Sequence, residues 1–348
     1  MHFGIFLEER RRGTSETESF RDTIELVDAA EAWGLDGVWL GEIHFNGTRS
    51  VQSAPLALAS FIAARARRMR VGTAVQVLPL SNPLRIAEEV ATVDHLSEGR
   101  FDFGIGRSGS PRAYDVLGIP YGESQARFLE ALAVIREAWK GQPFSYDGEF
   151  YRFGKATVSP TPYQVPHPPI RVAANSEETF VHVGRVGLPI FVGVRDLDFP
   201  ALRVNLHAYR KAWQEAGHPG RPDAFLRIPI YAGGTEKEAF EEPRENISYF
   251  YRRHVELIRS GLGRGDTGSS SRRQALAEQV ERMTYDDILK TRVAFGTAAA
   301  LIDRLAQLRD ELDLSGIVAE LNPGALLGMG QMQRTLRILT QDVMPAFR

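Results

Sequence analysis

A chain of 348 residues that is 43% hydrophobic and 25% charged, with a net charge of −2, has the composition of a folded globular protein, and that balance points to no nucleic acid or other polyanion as partner. The absence of cysteine removes disulfides, thiolate metal ligands and cysteine nucleophiles together. No run approaches the roughly 18 apolar residues of a membrane span, and Met1-His2 leads directly into an apolar strand, so a cytoplasmic location is expected.

From Phe3 onward, short apolar strands alternate with amphipathic helical stretches. A strand over 3–8 leads through a polar loop, 9–16, into a helix near 17–34 that stops at Gly34. The strand 37–41 ends in Glu42-Ile43-His44-Phe45; a helix near 53–67 follows, then a strand over 70–77 and a helix over 83–96. The run Arg100-Phe101-Asp102-Phe103-Gly104-Ile105 reads as a buried strand that breaks into Gly106-Arg107-Ser108-Gly109-Ser110-Pro111, a loop of small residues around one guanidinium. A helix near 123–140 precedes a hairpin excursion near 144–154, after which five prolines lead to the strand 170–174. Further strands are expected at 189–194, 225–232 and 316–320, with helices near 198–216, 235–260 and 297–313. The stretch 261–273, GLGRGDTGSSSRR, reads as a mobile loop, extending toward residue 283, that either closes over a site or has no function. Eight strand units with helices between them predict one domain over 1–348, an α/β (β/α)8 TIM barrel with insertions.

In such a barrel the site lies at the C-terminal strand ends, which carry Glu8, Glu42 and His44, Gln76, 106–110, Asn175 and Ser176, Arg195, and Glu320 with Asn322. His44 can exchange a proton near neutral pH, although a histidine between Ile43 and Phe45 is also what a structural residue looks like. Asn175-Ser176-Glu177-Glu178-Thr179 reads either as a capped helix start or as an anion site of free N–H groups and hydroxyls. Together with the Arg107 guanidinium on a neighbouring strand end, a bound phosphate is the better explanation. The eight histidines show no metal-ligand spacing, and there is no GxSxG nucleophile elbow, so a phosphate-bearing organic cofactor is the economical proposal and no metal is expected.

The segments GLDGVWLGEIHF, VGTAVQVLPLSNPLRIAEEVATVDHLSEGRFDFGIGRSG, PIRVAANSEET and GLPIFVG resemble the bacterial luciferase-like flavin monooxygenases, and the likeness runs from FGIFLE to QDVMPAF. The resemblance implies a barrel that takes reduced FMN from a separate reductase and uses dioxygen, through a flavin hydroperoxide, on a small organic substrate. It implies that Arg107, Ser176 and Thr179 hold the FMN phosphate, with Asn175 standing where luciferase has a glutamate. Ala74-Val75 matches a place where relatives carry a non-prolyl cis peptide under the flavin ring, and Gly106 stands where the luciferase catalytic subunit has a reactive cysteine. His44 is implied as donor to the peroxide or substrate, with Glu42 orienting it. Ile43 replaces the first of two adjacent histidines, which speaks against efficient light emission. A homodimer through the helices near 53–67 and 83–96 is also implied. Two rivals share the same barrel: a deazaflavin-dependent oxidoreductase and a non-catalytic flavin-binding protein.

Overall fold

The strands obey a two-residue alternation that sorts most of their apolar side chains into two cores. Phe3, Ile5 and Leu7, Val38 and Leu40, Phe101, Phe103 and Ile105, Ile190 and Val192, and Ile317 and Ala319 belong to a large outer core shared with the helices. Their neighbours Phe6, Trp39, Ala74, Phe191, Phe225 and Val318 form a second cluster, which fills the inside of a barrel. This architecture is that of a computed structural model that describes all residues except Glu9, Gly109, Ser110 and residues 263–266, together with the backbone but not the side chains of 267–270.

In chain order the elements are β1 (His2–Leu7), α1 (Glu16–Ala32), β2 (Gly37–Leu40), α2 (Pro55–Arg65), β3 (Arg70–Thr73), β4 (Gln76–Val77), α3 (Pro83–Leu96), β5 (Phe101–Gly106), α4 (Pro111–Leu117) and α5 (Ser124–Ala138). The antiparallel hairpin β6 (Phe144–Asp147) and β7 (Arg152–Ala156) follows. Next come β8 (Ile170–Ala173), α6 (Glu177–Arg185), β9 (Ile190–Gly193), α7 (Phe199–Glu215) and β10 (Ala224–Ala232). The excursion α8 (Glu236–Glu241), α9 (Arg244–Ser260), α10 (Thr267–Glu281), α11 (Tyr285–Thr291) and β11 (Ala294–Gly296) precedes α12 (Ala298–Leu312), β12 (Gly316–Glu320) and α13 (Met329–Ile338).

Eight parallel strands close in the order β1, β2, β3, β5, β8, β9, β10, β12, the last pairing again with β1. They are the eight strand units read from the sequence. Trp39 occupies the barrel axis because Gly4 and Gly72 leave it room: a Cβ on either would lie 2.8 or 2.5 Å from the indole. Below this aromatic layer the inward positions are ionic, with Arg70 Nε 2.5 Å from Asp102, Arg171 between Asp102 and Asp223, and His2 stacked on Phe225.

The strand expected over 70–77 is divided into β3 and β4, the helix expected over 235–260 into α8 and α9, and α4, α11 and β11 were not foreseen; the largest departure follows Leu262. The backbone is helical from Thr267 to Glu281, where a loop over 261–273 is expected; residues 263–266 of that stretch lie outside the described residues. Leu276, Ala277 and Val280 supply an apolar stripe that packs on Tyr251, Val255 and Ile258 of α9, and a tally of glycine and serine alone overlooks it.

Candidate functional site

The C-terminal strand ends gather the residues singled out in the sequence into two clusters. The first lies beyond β2, β3 and β5. The buried Glu42 carboxylate accepts the Val77 N–H at 2.7 Å through Oε2, and its Oε1 lies 2.6 Å from His44 Nε2. Burial raises the Glu42 pKa, against the opposing pull of His44 and the Val77 N–H. His44 keeps one face toward solvent, with a side-chain exposure of 21%, and lies beside Phe45. The arrangement is a histidine held by an enclosed carboxyl, able to hold or pass a proton at the ring nitrogen that faces away from Glu42. The Ala74–Val75 peptide is cis. Gly106 packs against Val75, where a Cβ would come within 2.6 Å of Val75 Cγ2, so only glycine leaves that space free.

The second cluster joins β5 to β8, whose register pairs Ile105 with Val172 and brings their ends side by side. Arg107 follows directly after β5; one of its terminal nitrogens donates to Ser124 Oγ at 3.2 Å, and its carbonyl accepts from the Tyr114 hydroxyl. Ser108 has a φ of 59°, while Gly109 and Ser110, expected to line the same loop, lie outside the described residues. Across from it, Ser176 occupies the N-cap of α6 without capping through its side chain; its hydroxyl instead pairs with that of Thr179 at 2.9 Å. A guanidinium, two hydroxyls and a helix N-terminus at adjoining strand ends are donors of the kind that could hold a phosphate. Asn175 is turned partly away from this set: its amide donates to Asp196 Oδ2 at 3.3 Å.

Asp196 leads to what sequence reasoning missed. Its carboxylate also lies 2.7 Å from Nε2 of the buried His254 on α9. Burial opposes ionisation of Asp196, but His254, Arg195 and Asn175 outweigh it and hold its pKa well below the carboxylate range. Burial pushes the His254 pKa down, against the opposing pull of Asp196. Next to it the buried Arg292 donates to the carbonyls of Val194 and Arg195 at 2.9 and 3.2 Å, and the Tyr251 hydroxyl donates to Val194 at 3.2 Å. The excursion between β10 and β12 therefore fixes the end of β9. The available signal was His254 itself, lying in the helical stripe Ile247, Phe250, Tyr251, Val255, Ile258.

Residues 1–313 match the family described as luciferase-like monooxygenase. The chain belongs to this family. Among curated relatives of this luciferase-like monooxygenase, the oxygenase component of flavin-dependent trigonelline monooxygenase from Acinetobacter baylyi is 28% identical over 256 residues, 72% of this chain and 71% of that protein. Among solved structures, the oxygenating constituent of 3,6-diketocamphane monooxygenase from Pseudomonas putida, in complex with FMN, superposes with a TM-score of 0.83 at 19% identity, covering 99% of this chain and 98% of that one. The coenzyme F420 dependent tetrahydromethanopterin reductase of Methanopyrus kandleri superposes with a TM-score of 0.74 at 18% identity, covering 100% and 99%. Both superpositions speak to the barrel alone. Among the described residues no group of three or more histidine, aspartate or glutamate side chains is arranged to hold a metal ion, and no helix is long and apolar enough to cross a membrane.

Proposed function

We propose that this chain is the oxygenase component of a two-component monooxygenase that takes reduced FMN from a separate reductase and uses dioxygen to oxidise a small organic substrate. The observation that carries the reading is the donor set of Arg107, Ser176 and Thr179 at adjoining strand ends, which suits the phosphate of FMN. A relative named as an oxygenase component supports the division of labour. Bound FMN supplies the electrons and the oxygen chemistry.

The protein's own tasks follow from the residues. Arg107, Ser176 and Thr179 anchor the phosphate end, and Asn175, held by Asp196, stands beside them. Gly106, Ala74 and Val75 leave a smooth wall for a flat ring. His44, oriented by Glu42, holds or moves a proton at its free ring nitrogen. The helix α10 reaches over the phosphate end: Arg272 lies 2.9 Å from Glu178 in the first turn of α6, and Arg273 donates to the Tyr121 hydroxyl at 3.0 Å just before α5. That places it to restrict water entry. Two copies pair through α2 and α3, where Phe61 and Leu96 are exposed.

The test is turnover with reduced FMN and with a reduced deazaflavin, each with and without oxygen. Oxygen-dependent product with reduced FMN is expected. Oxygen-independent hydride transfer with the deazaflavin would replace the reading, and flavin binding without any turnover would leave a binding protein. In His44→Ala, FMN affinity is expected to hold while substrate oxidation falls by roughly a hundredfold or more; unchanged turnover would remove His44 from the chemistry.

A further inference from the structure

We propose that the mouth selects an organic carboxylate and that Arg195 is the residue that meets it; this rests on the flavin reading above. The ionic groups of the β9, β10, β12 and β1 strand ends can be taken pair by pair. Glu8 pairs with Arg49, and Glu320 Oε2 accepts from Arg227 Nε at 3.0 Å. These pairs cancel. The Asp196 carboxylate is engaged by His254 and Asn175, and Arg195 Nε approaches its Oδ1 only to 4.0 Å. The Arg195 Nε is buried without a hydrogen-bond partner among the described residues, while the side chain as a whole is 31% exposed. Arg292, fully buried, spends one of its terminal nitrogens on two backbone carbonyls. Among the described ion pairs of these strand ends, the guanidinium with the longest carboxylate contact and the most exposed side chain is Arg195, 31% exposed against 12% for Arg49 and 16% for Arg227.

A guanidinium whose Nε is enclosed without a hydrogen-bond partner among the described residues, and whose side chain solvent still reaches, gains when an anion meets it. The loop outside carries further guanidiniums. Arg10 donates to the carbonyls of Thr14 and Gly47, and Arg12 lies 5.8 Å from the Tyr249 ring centre. Such a loop raises the local concentration of anions at the entrance. A guanidinium matches a carboxylate through two parallel hydrogen bonds, which turns charge preference into orientation. The phosphate donors Arg107, Ser176 and Thr179 belong to β5 and α6, so the Arg195 fork at the end of β9 is left for a second anion.

The experiment titrates the full-length protein with benzoate and with its neutral counterpart benzamide by calorimetry, with and without FMN. Benzoate is expected to bind at least roughly tenfold more tightly, as one charge-assisted contact allows. The preference should fade with added sodium chloride, persist in Arg195→Lys and vanish in Arg195→Gln, with FMN affinity unchanged in both variants. Equal binding of acid and amide, no binding of benzoate, or a preference that survives in Arg195→Gln would overturn the proposal. So would a loss of FMN affinity in Arg195→Gln, which would assign the guanidinium to the cofactor. If wild-type protein binds no FMN yet keeps the acid preference, the flavin reading fails and the anion site stands on its own. Should Arg195→Gln not fold, the salt titration and Arg195→Lys carry the decision.

Discussion

At the floor of the barrel Arg70, Asp102, Arg171 and Asp223 form a continuous run of ion pairs, and His2 closes it by stacking on Phe225. At the mouth, Arg107 is held by a serine hydroxyl, Arg195 by one distant carboxylate and His44 by one side of its ring. The floor pairs its cations with carboxylates inside the barrel, although Nε and Nη1 of Arg171 and Nε2 of His2 have no hydrogen-bond partner among the described residues; at the mouth Arg195 and His44 keep part of their side chains in solvent. Charges paired within an enclosed layer hold a fold in register, whereas a charged group that solvent reaches can still gain by meeting a partner from solution.

Variants that break this contrast should separate stability from binding. The largest effect is expected for Asp102→Ala, which strands Arg171 in the interior and should cost about 3–5 kcal/mol in urea denaturation, with FMN affinity intact in the folded fraction. Next, Arg107→Ala should weaken FMN binding by roughly 1.5–3 kcal/mol in a fluorescence titration while barely moving the denaturation midpoint; equal FMN binding would discredit the phosphate site. His2 gives a pH signature. Burial lowers its pKa to about 4, so the unfolded chain takes up a proton first as pH falls. The His2 contribution to stability is therefore complete above about pH 6.5 and is lost toward about pH 4, by roughly 3 kcal/mol. His2→Gln should flatten that slope in unfolding curves recorded across the window. Smallest of all, Arg272→Ala breaks an exposed pair with Glu178 and should change the melting temperature by an amount worth less than about 0.5 kcal/mol. A larger change would mean that the pair with Glu178 holds α10 against α6.

Much of the barrel was legible because its outward-facing residues form short apolar runs that periodicity detects, as in Phe101, Phe103 and Ile105. The charged inward positions were not: Arg70, Asp102 and Arg171 look like surface residues until strand register brings them together. At the site, Arg107, Ser176 and Thr179 were readable from loop composition and helix-start chemistry, and Glu42 with His44 from their spacing along one strand end. Asp196 and His254 lie on separate elements, and only the packing of α9 onto the end of β9 makes them a pair. The segment after Leu262 misled because serine and glycine favour loops in isolation, whereas Leu276, Ala277 and Val280 gain a packing partner only in the folded chain. The cis bond at Ala74–Val75 was foreseen through family resemblance; nothing in the residue types themselves indicates it.

The aromatic layer around Trp39 also acts as an electrical partition. Arg171 presses on Phe225 from below at 3.8 Å and Arg227 on Phe6 from above at 3.6 Å, so each cation draws on a different ring of the same septum. Apart from burial, the neighbours that tune His2 are Asp36, Arg171 and Arg70, all beneath it; those that tune His254 are Asp196, Arg195 and Arg49, all above. The charges that set the acid response of His2 therefore lie on the opposite side of the septum from those that surround His254, so a substitution in one compartment leaves the other's ion pairs untouched.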